Sequence, residues 1–299
     1  MIIRTENYFI LKILCFRLPE KTKELIMPEL PEVEITRQGI TPHIVGKTVE
    51  QVIIRNGRLR KTVRSDLSEI LANAVLQQVR RRAKYIVLAF DLGVLIVHLG
   101  MSGGLRIISP NNIRLPEKHD HIDVLFTDGT ILRYHDPRRF GLFEWFYGIS
   151  ENASILQNLG VEPLDEAFNG TYLYQQLINK KLPIKTALMS GKIVVGVGNI
   201  YANEALFMAK INPQRLSGSL KKSECNRLTN AVKTILQQAI AAGGSSIQDF
   251  VDSNGHAGYF QHQHQVYGKT NTPCPVCGAF IQRIVQNQRS SFFCANCQK

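Results

Sequence analysis

"TPCPVCGAFIQRIVQNQRSSFFCANCQK", residues 272–299, closes the chain with two C-x-x-C pairs, Cys274/Cys277 and Cys294/Cys297, sixteen residues apart. That spacing matches a four-cysteine zinc site. Each pair makes a tight turn presenting two thiolates, and the intervening hairpin brings the pairs together tetrahedrally. Two disulfides, or four idle thiols, are the competing reading. Four protein ligands leave no open coordination position, so such a zinc is structural, and its binding energy stands in for a core that so few residues cannot build. The other two cysteines, Cys15 and Cys225, stand alone, and this clustering fits a reducing compartment better than a disulfide scaffold. Arg289 falls near the tip of the expected hairpin, where a guanidinium could reach a phosphate. Taken by itself it is an ordinary solvated charge.

Upstream of this module the pattern is helical. "ASILQNLG", "TYLYQQLIN", "IKTALM", "NIYANEALFMAK" and "LKKSECNRLTNAVKTILQQAIAAGG" read as helices between residues 153 and 244. The last carries Leu228, Ala231, Val232, Ile235 and Ala239 on one face and stops at Gly243-Gly244. A loop rich in Gly, Ser, Gln and His follows. Before residue 150 the pattern changes to strands: "TVEQVIIR", "AKYIVLAF", "GVLIVHLG", "HIDVLFTDGTILRYHD" and "GLFEWF". Asp128-Gly129 between two alternating runs marks a hairpin, and this many short strands argue for a β-sandwich or barrel-like domain. A helix over 31–44 precedes them, with Glu32 and Glu34 in its first turns, where acids suit the dipole.

The 299 residues allow about two domains and an appendage. No run approaches the ~18–20 apolar residues of a membrane span. Lys and Arg outnumber Asp and Glu by 36 to 24, giving +12 and a pI near 9.5. Such a balance favours a polyanionic partner through counterion release, although a merely basic soluble protein has the same charge. Residues 1–26 hold an apolar run broken by Lys12 and Arg17 and show no secretory cleavage site.

Seven motifs then fall in register: "PELPEVE", "RRAKY", "HLGMSG", "EKHDH", "DPRRFG", "VVGVGNIYANEALF" and the terminal finger. From Met27 to Lys299 the chain resembles the bacterial formamidopyrimidine-DNA glycosylase family. The sister family of endonuclease VIII type usually has Gly at the position of Leu30, so Leu30, "EKHDH" and the loop after Gly244 favour the oxidised-purine branch. The resemblance implies an α+β multidomain fold: an N-terminal β-sandwich with a leading helix (28–150), a helix–two-turn–helix domain with a mobile lesion loop (151–262) and a zinc finger (263–299). It implies a DNA glycosylase for 8-oxoguanine and ring-opened purines with an associated lyase, one structural Zn²⁺, and double-stranded DNA as partner. A cytoplasmic, nucleoid-associated monomer without membrane attachment is expected.

The chemistry explains the residue types. Only an amine attacking C1′ leaves an iminium that permits strand elimination. Pro28 offers a secondary amine only as a first residue, with an unperturbed pKa of roughly 8. The positive end of its helix disfavours the ammonium. Glu29 would protonate the sugar ring oxygen or act as general acid/base, with Glu32 in support. Without the other motifs, these three residues read as a proline-started helix with an acidic first turn. By the resemblance, Lys84 donates a proton in β-elimination and contacts phosphate, and Arg289 serves δ-elimination. His119, Arg138 and Lys180 match DNA contacts, with Lys181 and Lys185 close to the last. Asn199 would present its side chain and adjacent amides to phosphates at a helix start. Met101, Arg138 and Phe140 match the residues that fill the void left by an extruded base; singly, Met101 and Phe140 are ordinary core residues.

Two rivals remain at the level of sequence: an endonuclease VIII-like enzyme for oxidised pyrimidines, and a non-enzymatic DNA-binding protein. The second draws on the leader, because a chain that keeps residues 1–26 locks the Pro28 nitrogen in an amide. The expectation is that translation starts at Met27, that the methionine is removed, and that the leader is absent from the active enzyme.

Overall fold

The computed structural model describes residues 27–112, 114–245 and 260–299. The expected leader and most of the expected lesion loop lie outside these residues. Helix α1 (Leu30–Ile44) opens the described chain, one residue earlier than the sequence pattern places it. It belongs to both halves of the molecule. Val33, Ile40 and Ile44 are buried in the sandwich core, whereas Leu30 is buried in the helical core.

Two antiparallel four-stranded sheets form the sandwich. One runs β1 (Val49–Ile54), β6 (Asp120–Phe126), β7 (Ile131–His135), β5 (Gly104–Ile108). The other runs β2 (Gln78–Arg82), β3 (Tyr85–Phe90), β4 (Gly93–His98), β8 (Leu142–Tyr147). The period-2 geometry of strands sends Ile86 and Leu88, Leu95 and Val97, and Ile122 and Val124 into one shared core. The Asp128-Gly129 hairpin forms as expected. Gly129 takes φ +81°, and the Thr130 amide donates to Asp128 Oδ1 at 3.0 Å.

Residues 153–160 do not form the expected helix. A 3-10 turn at Ser150–Asn152 is followed by irregular chain that lays Ala153, Ile155 and Leu156 over the second face of the β2–β3–β4–β8 sheet, against Val87, Val94 and Ile96. Asn158 then takes φ +62°, which ends any helical run. The apolar spacing there serves to cover a sheet.

The helical lobe comprises α3 (Gly170–Leu177), α4 (Ile184–Met189), α5 (Asn199–Met208) and α6 (Lys222–Ala241); the short α2 (Leu67–Leu71) lies in the sandwich. Asn169 caps α3 by accepting from the Tyr172 amide at 3.0 Å. The finger hairpin, β9 (Gln282–Gln286) and β10 (Arg289–Phe293), packs onto this lobe. Cys274, Ile281, Phe292 and Cys294 share its core. Among the described residues no helix is long and apolar enough to cross a membrane.

Candidate active site

The chain enters the site at Met27, which lines two adjoining clefts of about 350 and 550 Å³. Lys84, Gly198 and Arg289 line the first with it; Glu29, Met101, Asn199 and Arg289 line the second. Pro28 is buried behind Met27 in the chain. Five expected residues therefore line the opening, Glu29, Lys84, Met101, Asn199 and Arg289, whereas Pro28, Glu32 and Arg138 line neither cleft.

Glu29 sits where the helix-start geometry asks for an anion. Its carboxylate accepts the amide of Gly198 at 2.7 Å and that of Ile200 at 2.9 Å, capping α5 from another lobe. Burial raises its pKa against the opposing pull of Lys84 and those amides. Glycine is required opposite it: a Cβ on Gly198 would lie 2.6 Å from Glu29 Oε2, and one on Gly196 would lie 2.7 Å from Leu30 Cβ. Glu32 accepts three donors, the Glu29 amide at 2.9 Å, the Tyr201 hydroxyl at 2.6 Å and the Ser245 amide at 2.9 Å. It thus holds the backbone one residue beyond Pro28.

Lys84 and Ala83 are the two turn residues between β2 and β3, with Ala83 at φ +55°. Burial lowers the Lys84 amine, Arg289 adds to this, and Glu29 opposes it. The turn is clamped by Glu162, a residue the sequence reading passed over. Its carboxylate takes Arg81 at 2.6 Å, Arg82 at 2.8 Å and the Ala83 amide at 2.7 Å. Arg289 starts β10 directly after a two-residue turn in which Asn287 and Gln288 have φ +47° and +59°, the primed turn that suits a tight hairpin.

The void-filling candidates sit on two loops joined by Asp136, also passed over. This fully buried carboxylate accepts the Ser102 hydroxyl at 2.9 Å, the Tyr134 hydroxyl at 3.1 Å and the Gly141 amide at 2.9 Å. The Arg138 guanidinium stacks on the half-exposed Phe140 ring at 4.9 Å. His119 joins the group through its carbonyl, which accepts the Asp136 amide at 3.0 Å. The signal for Asp136 was the Asp-Pro at a turn, which the sequence reading used only as part of a motif. Lys180 is not among the residues lining either cleft. The lining lysine of that segment is Lys185, buried, with Nζ donating to the Ser290 carbonyl at 2.6 Å and the Ser291 hydroxyl at 2.7 Å. Asn199 has a buried side-chain oxygen with no partner among the described residues.

The four cysteine sulfurs lie within 4.8 Å of one another, with 3.9 Å between Cys274 and Cys297 and 3.5 Å between Cys277 and Cys294. A tetrahedral ion with Zn–S bonds of about 2.3 Å sets sulfurs about 3.8 Å apart, so the cluster fits one structural Zn²⁺.

A β-sandwich and a helical lobe that share one acid-floored cleft, with a four-cysteine finger reaching over it, define a glycosylase of the helix–two-turn–helix class. Three family models cover the chain in succession: the formamidopyrimidine-DNA glycosylase N-terminal domain at 27–143, the formamidopyrimidine-DNA glycosylase H2TH domain at 159–251, and the zinc finger found in FPG and IleRS at 272–299. The chain belongs to the formamidopyrimidine-DNA glycosylase family. It is 52% identical over 275 residues to the formamidopyrimidine-DNA glycosylase of Neisseria meningitidis, covering 91% of this chain and 100% of that one. Against the Escherichia coli protein of that name it is 49% identical over 273 residues, covering 91% and 100%. The crystal structure of MutM (Fpg) from Thermus thermophilus superposes with a TM-score of 0.80 at 36% identity, covering 91% of this chain and 98% of that one. Lactococcus lactis Fpg with abasic-site DNA gives 0.82 at 35%, covering 91% and 99%.

Proposed function

We propose that this chain excises oxidised purines from double-stranded DNA and cleaves the resulting abasic site, with the amine of Pro28 as nucleophile. One observation carries the reading: Met27, the residue bonded to the Pro28 nitrogen, lines both clefts, with Lys84 in the first, Glu29 in the second and Arg289 in both. Removing Met27 would turn that nitrogen into a secondary amine facing the opening. The relatives support the substrate class. Those from Neisseria meningitidis and Escherichia coli are named formamidopyrimidine-DNA glycosylases, and solved complexes of the Lactococcus lactis enzyme hold Fapy-dG or abasic-site DNA.

The neutral amine attacks C1′, and the glycosidic electron pair leaves with the base, which takes up a proton. Glu29, inclined by burial to keep its proton, donates it to the ring oxygen as the sugar opens to the iminium. Loss of a C2′ proton then expels the 3′ phosphate; Lys84 supplies a proton on that side, and Arg289 receives the phosphate for the second elimination. Met101, Arg138 and Phe140 occupy the gap left in the duplex. His119, Asn199 and a lysine of the 180–185 segment contact phosphates. The zinc holds the finger that carries Arg289. The division is a β-sandwich with its leading helix over 28–150, a helix–two-turn–helix domain over 151–262 and a zinc finger over 263–299, and residues 1–26 are absent from the working enzyme.

Side-by-side duplexes carrying 8-oxoguanine, a formamidopyrimidine or an oxidised pyrimidine test the reading. Excision with strand nicking at the purine lesions is expected. Preference for the pyrimidine lesion would favour endonuclease VIII-like activity, and tight binding without excision would favour a non-enzymatic DNA-binding protein.

A further inference from the structure

Ser245 and Phe260 end the two described stems that flank residues 246–259, and the Phe260 amide ties them by donating to the Gly244 carbonyl at 2.9 Å. A file of buried polar groups runs from these stems to the catalytic turn. His264 Nε2 lies 3.2 Å from Ser245 Oγ, which lies 3.3 Å from the Tyr201 hydroxyl, which lies 2.6 Å from Glu32 Oε1. All four residues are at most 6% exposed.

Counting protons orders the file. Tyr201 donates its single hydroxyl proton to Glu32 Oε1, which also accepts the Ser245 amide. The Tyr201 oxygen can then meet Ser245 only as an acceptor, and the single Ser245 proton is used there. Ser245 must in turn accept from His264. Three contacts and three protons have one consistent arrangement, and it requires hydrogen on Nε2. Phe260 and Tyr267 hold the imidazole edge-on at ring separations of 5.5 and 5.6 Å, so its orientation is set by packing. Burial pushes His264 down to about 4, with Lys269 and His262 adding, so near neutral pH only one ring nitrogen carries a proton.

We propose that His264 is a positioning residue, whose Nε2–H anchors the chain His264 to Ser245 to Tyr201 to Glu32 and thereby steadies the Glu29 amide beside Pro28. The same chain joins the catalytic turn to both stems. The inference rests on Pro28 being the nucleophile.

Two measurements test it. Nitrogen-15 NMR of the free wild-type protein should show the Nε2–H tautomer at His264; the Nδ1–H tautomer overturns the proposal. Single-turnover borohydride trapping should slow about 5–10-fold in His264→Leu, the loss expected of one buried hydrogen bond. KM should not move, and His264→Gln, whose amide can donate to Ser245, should stay within about twofold of wild type. His264→Leu should cost nothing further in a Tyr201→Phe background, and additive losses would overturn the proposal. A wild-type protein that never traps counts against Pro28 alone, because the tautomer is read without DNA.

Discussion

Gly198→Ala is the smallest change that should reach the chemistry. The added Cβ would stand 2.6 Å from Glu29 Oε2, where ordinary contacts begin near 3.4 Å. The backbone at Gly198, φ −108°, accepts alanine without strain, so the carboxylate must give way. A retreat of about 1 Å lengthens the 2.7 and 2.9 Å bonds to Gly198 and Ile200 beyond hydrogen-bonding range. Burial inclines Glu29 to keep its proton, so these are bonds to a neutral carboxyl, worth about 0.5–1.5 kcal/mol each. A loss of about 1–3 kcal/mol corresponds to roughly 5–160-fold in the rate of iminium formation. Single-turnover borohydride trapping on an 8-oxoguanine duplex measures that rate, and urea unfolding on the same protein reports how much of the loss is global. A variant that traps within threefold of wild type would refute the placement of Glu29 as the proton donor held by α5.

Other expectations concern the surroundings. His98 accepts the Gly100 amide on Nδ1 at 2.9 Å, and burial lowers its pKa to about 4. The folded state favours the neutral ring, so His98 contributes on the order of 2–3 kcal/mol above pH 6.5, which is lost as pH falls through about 4. Urea titrations of wild type and His98→Gln should diverge across that window. Asp136→Asn should turn an amide NH₂ toward the Gly141 N–H, costing about 2–3 kcal/mol and weakening lesion excision more than undamaged-DNA binding in parallel assays. Metal analysis should find one zinc per chain. Cys294→Ser should lose the metal and lower the melting temperature of the helical lobe as well, because Cys294 lies in its core.

Much of this was legible from local pattern. Alternating apolar runs gave six strands, β1, β3, β4, β6, β7 and β8, the Asp128-Gly129 turn joined β6 to β7 as a hairpin, and the C-x-x-C pairs gave the finger. Strand β2 was missed because "QVRRR" reads as a solvated basic run. Its arginines are held inward by Glu34 and Glu162, partners 47 and 81 residues away from Arg81. The "ASILQNLG" segment was misread because apolar residues that cover a sheet and those that face a helical core have the same composition. Glu162, Asp136 and His264 act through hydrogen bonds to residues distant in the chain, which no local window displays. Lys185 shows the same limit: three lysines within six residues look alike until the finger packs over one of them.

The central claim is that the Pro28 nitrogen forms the bond to C1′. Borohydride-reduced cross-links made with natively expressed protein, digested and mapped by mass spectrometry, should place the sugar on the amine of an N-terminal Pro28, in a chain that lacks residues 1–27. A cross-link on Lys84, or on any residue of a chain that still begins at Met1, would contradict it.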